Sequence, residues 1–300
     1  MKPLAGLPLP QQRDEHPSNT AQNHNNKEVF HVEHRRMDYH VHSTHSFDAS
    51  QSIQDICRTM AAQGVEEFSL TEHIDPGHPD PVVDVTPIWD VWLNEIQQAR
   101  KNWPQLTIKA GIEIGDWPSL RPQIQTMLDT VPLDFRLLSL HCVDGVDIYW
   151  PEYWQGRSRN ENYRRYGEAL ADTLTHWEDF DSVAHIGFCA KFSPYKGAEQ
   201  PFRYEDAPDA LDVVLRRIIA LDKCMEINTS GYNKIGSLLP DPSIVKRYVE
   251  LGGTLFTFGS DSHDVDRDYA NIDRARAEVA ALGGKYQCSF TQRKRTEWLL

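Results

Sequence analysis

The sequence predicts one α/β domain built as a closed or nearly closed barrel of parallel strands. Short apolar runs alternate with longer amphipathic segments from Met37 onwards, seven such repeats follow one another, and no second domain or sequence repeat interrupts them. Regular strand–helix alternation is typical of a parallel sheet, and seven repeats in one domain favour a sheet that closes on itself. The 300 residues, 40% of them hydrophobic, suffice for one substantial core.

Seven apolar runs are the predicted strands of this barrel. They cover residues 37–40, 67–71, 107–114, 136–141, 182–186, 224–228 and 254–259.

The helices between the strands have recognisable boundaries. Ser52 with Asp55 matches a capping box. A cap residue followed by proline at the first helical position is typical of a helix start, and glycine of a helix end. The starts are predicted at Thr86-Pro87 and Asp241-Pro242, and the ends at Gly252-Gly253 and Gly283-Gly284.

The first 36 residues differ in composition from the rest of the chain. They are rich in Pro, Gln, Asn, His and charge and contain few large apolar side chains. Such a segment cannot bury enough surface to offset its ordering entropy, so we expect residues 1–36 to be a disordered tail with solvated His24, His31 and His34. The folded domain is predicted over residues 37–300, and Met37 would also serve as a start.

Charge and cysteine usage narrow the class of protein. The net charge of −13 argues against a nucleic-acid-binding surface, and no apolar run is long enough for a signal peptide or a membrane span. The five cysteines form no CxxC pair, which fits a reducing cytosol. We therefore expect a cytoplasmic protein with a small-molecule partner, and neither nucleic acid nor membrane; a homodimer is compatible with these patterns.

Residue types that bind metals follow nearly every predicted strand. Because the carboxyl ends of parallel strands meet at one face, these side chains should converge there. A lone histidine at a strand end is more often a structural, hydrogen-bonded residue, but a buried carboxylate must be paired, protonated or metal-bound. Imidazole and carboxylate without thiolate suit Zn, Fe or Mn rather than Ca. The set comprises His40, His42, His73, Glu113, His141, His185, Asp261 and His263.

In order and spacing, these strand-end motifs resemble those of the PHP (polymerase and histidinol phosphatase) family. The similarity runs from about Met37 to the C-terminus, and several motifs are most similar to the histidinol-phosphatase branch. The motifs are His40-Val41-His42, Thr71-Glu72-His73, Gly111-Ile112-Glu113, Ser139-Leu140-His141, Ala184-His185, Glu226-Ile227-Asn228-Thr229 and Gly259-Ser260-Asp261-Ser262-His263.

The resemblance implies a distorted (β/α)7 barrel, similar to a TIM barrel, with three divalent metal ions (Zn, Fe or Mn). Glu113 would bridge the first two ions. Asp48 is the weakest match, because some relatives carry His there and a loop or cap residue is the alternative. The implied ligands are His40, His42, Glu113 and Asp261 for the first ion, Glu113, His141 and His185 for the second, and Asp48, His73 and His263 for the third.

The resemblance also implies phosphoester hydrolysis by a water that two metals activate, without a Ser or Cys nucleophile. Glu113, Asp261 and His263 are then the candidate catalytic residues. Fixed cations usually bind the phosphate, and the candidates are Lys191, Arg157 and Arg159, for which a solvated surface role is the alternative. Trp150, Tyr153 and Trp154 are candidates for a wall beside the substrate, with a core role as the alternative.

The implied reaction is hydrolysis of L-histidinol phosphate in histidine biosynthesis. The alternatives are a PHP phosphoesterase acting on another small phosphate mono- or diester, and a non-catalytic PHP module. Amidohydrolase chemistry is disfavoured because no strand end carries a lysine that could be carboxylated. Gly187 stands where relatives of the histidinol-phosphatase branch often carry an acidic residue, so the substrate stays open at this point.

Overall fold

The computed structural model describes residues 29–30, 35–84, 86–266 and 269–300. Seven parallel strands pair in chain order, as the sequence predicts. They are β1 (Met37–Val41), β2 (Glu67–Ile74), β3 (Thr107–Gly115), β4 (Phe135–Ser139), β5 (Ser182–Val183), β6 (Cys224–Asn228) and β7 (Leu255–Gly259).

The sheet returns to its first strand just beyond the end of β7. Val41 and Ser262 form an isolated parallel bridge, and the Asp261 N–H donates to the His40 carbonyl over 2.8 Å. The closing contact is therefore one bridge rather than a regular ladder. This single α/β domain with a mostly parallel sheet confirms the predicted fold class.

Helices connect the strands and cover the outside of the sheet, where most buried apolar side chains lie. A smaller apolar cluster, containing Tyr39, Phe135 and Leu137, packs below the strand ends. None of the helices in the described ranges is long and apolar enough to cross a membrane. The helices are α1 (Ile53–Ala62), α2 (Trp89–Asn102), α3 (Arg121–Leu128), α4 (Pro151–Trp154), α5 (Arg159–His176), α6 (Pro208–Ala220), α7 (Ser230–Ile235), α8 (Pro242–Glu250) and α9 (Ala270–Ala281).

Two of the three predicted helix starts are confirmed. Ser52 and Asp55 form a reciprocal capping box before α1, and Asp241 accepts a hydrogen bond from the Ser243 N–H at the start of α8. The start at Thr86-Pro87 is wrong, because α2 begins at Trp89 after Ile88, which has no side-chain cap.

The predicted fifth strand is too long. The ladder ends at Val183, because the His185 N–H donates to the Glu226 carboxylate over 2.6 Å instead of pairing with β4 or β6. Leaving the ladder at this point turns His185 toward the barrel mouth.

Some residues before Met37 also contact the folded domain. Val29–Phe30 pairs in parallel with β9 (Lys294–Leu299), which forms an antiparallel hairpin with β8 (Tyr286–Thr291). The Arg36 guanidinium lies 2.8 Å from Asp273, and Arg35 lies 3.2 Å from Glu67. Composition could not reveal these contacts, because their partners lie at distant positions in the chain. The remainder of residues 1–34, including His24, His31 and His34, lies outside the described residues.

Candidate metal centre

All nine predicted metal ligands lie at the carboxyl ends of the strands. Several sets of three carry donor atoms within 4.8 Å of one another, which is close enough to share an ion. The sets of predicted ligands are His40, His42 and Glu113; His40, His185 and Asp261; Glu113, His141 and His185; and His42, His73 and His263.

Glu113 is the centre of this cluster, and its side chain is fully buried. Burial alone would raise its pKa, but the neighbouring imidazoles, chiefly those of His40 and His73, hold the pKa of Glu113 well below its ordinary value. A buried carboxylate that stays ionised between several nitrogen donors is suited to bridge cations. From Oε2 the distances are 3.2 Å to His40 Nε2, 3.2 Å to His73 Nδ1 and 3.4 Å to His42 Nε2; from Oε1 they are 2.8 Å to His185 Nε2 and 3.2 Å to His141 Nε2.

The hydrogen bonds of His42 test whether these residues fit a metal ion. Ser46 donates its hydroxyl hydrogen to Glu72 over 2.7 Å, so its lone pair faces Nδ1 of His42 at 3.2 Å. Burial, followed by the neighbouring histidines, lowers the pKa of His42 well below its ordinary value. Its buried Nε2 has no hydrogen-bond partner among the described residues, although Glu113 and Asp261 lie nearby. A neutral imidazole whose free lone pair faces carboxylates is a metal-ligand arrangement, so the residues fit.

Asp48 lies at the outer side of the cluster. Its carboxylate is 3.2 Å from His263 Nε2 and 3.6 Å from His73 Nε2. Burial opposes ionisation, but hydrogen bonds from these two imidazoles hold the pKa of Asp48 well below its ordinary value. Ser52, not Asp48, caps α1. The structure therefore brings Asp48 to the cluster and leaves the cap alternative without support.

Two carboxylates orient candidate ligand histidines, and sequence reasoning gave neither carboxylate a role. Asp75 lies 2.8 Å from Nδ1 of His141, and Glu226 lies 2.6 Å from Nδ1 of His40. Each contact directs the opposite nitrogen, Nε2, toward Glu113. A carboxylate behind a histidine ligand fixes its tautomer and increases its basicity. The sequence feature that could have revealed them is an acidic residue within or just after a strand, as Glu226 and Asp75 are.

Glycines at two strand ends make room for these carboxylates. A Cβ atom at Gly115 would lie 1.8 Å from Asp75 Oδ1, and one at Gly259 would lie 2.4 Å from Glu226 Oε1. Larger residues at either position would displace the orienting carboxylate. This close approach explains why glycine ends β3 and β7.

We expect Asp75→Asn to weaken metal binding and turnover by about 10- to 100-fold, the range typical of lost partners behind metal ligands. The amide keeps the shape but removes the charge that supports His141. Metal affinity from competition with a chelator, together with kcat/KM, measures the effect. Asp84→Asn, in the loop before α2, is the matched control, because Asp84 contacts the Gly77 N–H rather than the cluster. Equal behaviour of both variants would contradict the role of Asp75.

Lys191 is the predicted phosphate-binding residue that reaches the cluster. Its Nζ lies 2.7 Å from Asp261 Oδ2, which also accepts from Ser230 over 3.2 Å. The other oxygen of Asp261 faces the imidazoles of the centre, at 3.6 Å from His40. Asp261 has a left-handed backbone (φ 57°), and the bond from its N–H to the His40 carbonyl holds it there. Such strain in a non-glycine residue often accompanies a functional site.

The two predicted arginines are not part of this arrangement. The guanidinium of Arg159 is committed to Asp206 and to the Glu199 and Pro201 carbonyls, so it fixes the 199–206 segment rather than a phosphate. Arg157 is exposed and has no hydrogen bond or ion pair to the cluster within the described ranges. Sequence proximity to strand four suggested both residues, but Arg159 is the first residue of α5 and Arg157 lies in the bend before it.

The aromatic candidates also have other roles. The Tyr153 hydroxyl donates to the Asn162 carbonyl, the Trp154 indole donates to the Ile148 carbonyl, and both rings are buried in the core. Trp150 packs edge-on against His78, at a ring distance of 5.9 Å.

Gly187 has a structural reason to be glycine. Its φ of +96° lies in the left-handed region, which non-glycine residues rarely adopt. This turn starts the short 3-10 helix Phe188–Lys191, which brings Lys191 to Asp261. An acidic residue at this position would strain the turn.

Comparison with known families agrees with this geometry. The family model for the PHP domain matches residues 38–230. The chain belongs to the PHP domain family. Among PHP relatives, the histidinol-phosphatase of Lactococcus lactis subsp. lactis is 26% identical over 262 residues, covering 87% of this chain and 96% of that protein. A probable histidinol-phosphatase of Clostridium acetobutylicum is 30% identical, covering 79% and 90%.

Solved structures of PHP relatives show the same fold. The crystal structure of the Lactococcus lactis histidinol phosphate phosphatase, complexed with zinc, L-histidinol and phosphate, superimposes with a TM-score of 0.80 and 26% identity, covering 87% of this chain and 98% of that one. A protein from Listeria monocytogenes superimposes with a TM-score of 0.66 at 19% identity, covering 78% and 99%, and this similarity concerns the fold alone.

Proposed function

We propose that this protein is a metal-dependent histidinol-phosphatase, which hydrolyses L-histidinol phosphate to L-histidinol and phosphate in histidine biosynthesis. The observation that carries the proposal is the fully buried Glu113 side chain, both of whose oxygens lie within 3.2 Å of imidazole nitrogens. The names of the relatives supply the substrate, and the solved relative contains both reaction products. The enzyme class, a hydrolase of phosphoric esters, follows from the same relatives.

The proposed centre has three positions for divalent ions. Glu113 would bridge two of them, and Asp48, His73 and His263 would hold the third. Zinc is the first candidate because the solved Lactococcus relative contains it, with iron and manganese as alternatives that suit the same donors. When bound, such ions lower the pKa of a water molecule and neutralise phosphate oxygens.

The chain's own residues then position the substrate. The Lys191 ammonium provides a fixed cation beside the centre, from which one phosphate oxygen can accept a hydrogen bond. Asp261 holds this ammonium with one oxygen and faces the metal ligands with the other. His263, 3.6 Å from the Asp261 carboxylate, donates from Nδ1 to the Asp261 carbonyl over 3.0 Å, so its Nε2 is the nitrogen that would bind the third ion.

Phosphate release from a panel of esters tests the proposal. The panel contains L-histidinol phosphate, sugar phosphates, amino-alcohol phosphates, phosphotyrosine and nucleotide mono- and diesters, all assayed with the zinc-loaded protein. We expect the highest kcat/KM for L-histidinol phosphate. A higher kcat/KM for another ester would mean that the protein is a phosphoesterase with a different substrate. No turnover of any ester would favour a non-catalytic PHP module.

We expect Lys191→Met to raise KM for L-histidinol phosphate by roughly 10- to 100-fold, the cost of losing one hydrogen bond to a charged group. Lys191→Arg keeps the cation and should retain more of the affinity. Steady-state kinetics measures both variants, and elemental analysis tests whether the metal content persists. An unchanged KM in Lys191→Met would exclude a phosphate contact.

A further inference from the structure

A row of three aromatic rings leads from the metal centre to the protein surface. We call Phe188, Phe192 and Tyr149 the aromatic wall. The Phe188 ring lies 4.7 Å from the His185 ring and 5.1 Å from the Phe192 ring, and the Phe192 ring lies 5.0 Å from the Tyr149 ring. The wall therefore begins against a candidate metal ligand and continues outward in van der Waals contact.

The outer end of the aromatic wall is exposed to solvent. Tyr149 is 63% exposed, although large aromatic rings are more often buried in folded proteins. Its backbone is nevertheless fixed, because the Tyr149 N–H donates to Asp147 over 2.8 Å and Asp147 pairs with the buried His78 at 3.3 Å. An exposed ring on a fixed backbone suits contact with a ligand.

The inner end of the wall shares one short helix with the proposed phosphate-binding residue. Phe188 and Lys191 begin and end the 3-10 helix Phe188–Lys191, and the Lys191 Nζ lies 5.2 Å from the Phe188 ring centre. A phosphate held at Lys191 would thus place the leaving alcohol of the ester along the wall.

From this placement we propose that the aromatic wall binds the ring of the leaving alcohol, and that it selects phosphate monoesters whose alcohol carries a flat heteroaromatic ring. This proposal rests on the proposed function and adds the residues that determine specificity. Aromatic rings stack on flat rings, and their faces also attract cations such as imidazolium and ammonium. An ester without a ring would gain less from the wall.

The first test compares two esters in two variants. Kinetics with L-histidinol phosphate and with O-phosphoethanolamine, which keeps an amino alcohol but has no ring, are measured for Tyr149→Leu and Phe192→Leu. One lost aromatic pair corresponds to a decrease of about three- to tenfold, so we expect kcat/KM for L-histidinol phosphate to fall by that factor more than kcat/KM for the ringless ester. Tyr149→Phe keeps the ring and should keep the discrimination, and Val213→Ala on the exposed side of α6 is the unrelated control.

A parallel fall for both esters would show that the wall only supports the metal centre, and would overturn the proposal. An unchanged discrimination in both leucine variants would also overturn it.

The second test does not depend on turnover. Calorimetric titration of the zinc-loaded protein with L-histidinol should give an affinity that Tyr149→Leu reduces by about three- to tenfold, while ethanolamine binds more weakly and with little dependence on residue 149. Failure of the proposed function would appear as poor turnover of L-histidinol phosphate with ring-dependent binding intact. Binding of L-histidinol that is absent, or equal in wild type and Tyr149→Leu, would overturn the wall itself.

Discussion

Glu113→Gln is expected to lower kcat/KM for phosphate release by on the order of 10³-fold or more, because it removes several kcal/mol of charge stabilisation at the centre. The amide is nearly isosteric, so the barrel should keep its shape. It carries no negative charge, however, and presents an NH₂ group to nitrogen donors on one side of the cluster. We expect elemental analysis to show fewer than half of the wild-type metal ions per chain.

Glu67→Gln provides a matched control for this variant. Glu67 is another buried glutamate on a barrel strand, but it lies at the start of β2, where it pairs with Arg35 and accepts a hydrogen bond from Tyr39. We expect this change to lower the free energy of unfolding by about 1–3 kcal/mol and to leave the metal content unchanged. Wild-type turnover in Glu113→Gln, or equal metal loss in both variants, would show that Glu113 does not bridge ions.

The positions of the candidate ligands were predictable because strand direction determines where strand ends lie. His40, Glu113 and Asp261 are far apart in the chain, yet each stands near the carboxyl end of a parallel strand, and all such ends meet at one face. Alternation along each strand then determines which side chains face inward. These two rules locate the cluster without knowledge of any loop.

Residues whose role depends on tertiary contacts were not predictable in the same way. Asp75 acts only because Gly115, on the neighbouring strand, lets it approach His141. The Ser46–Glu72 pair determines the tautomer of His42 through one hydroxyl group. Such contacts depend on differences in distance of a few tenths of an ångström, which the spacing of residues in the sequence does not encode.

Loops and edges account for the remaining differences. Arg159 was one candidate for a phosphate contact, with a surface role as the alternative, but the 199–206 segment accepts the hydrogen bonds of its guanidinium. The hairpin of β8 and β9 and its pairing with Val29–Phe30 depend on an exposed sheet edge. Apolar periodicity reports which face of an element is buried, and it does not report which distant segment joins an edge.

Metal removal is expected to abolish turnover and to lower the melting temperature by on the order of 10 °C. Ions that bind the folded chain and not the unfolded one stabilise it by about 4 kcal/mol at 1,000 times their dissociation constant, and a domain of this size loses roughly 2–4 °C per kcal/mol. Without cations, only neighbouring side chains such as the surrounding imidazoles offset the cost of burying the carboxylates of Glu113 and Asp261.

The measurement is a thermal scan of the protein before and after dialysis against a chelator, with phosphate release assayed on the same samples. Adding back zinc, manganese or iron should restore both properties, and the metal that restores them at the lowest concentration identifies the best fit to the donor set. Glu113→Gln should show a smaller shift on chelation, because its centre retains fewer ions to lose. A chelated protein that melts at the same temperature as the untreated protein and still releases phosphate would show that neither its stability nor its activity depends on metal ions.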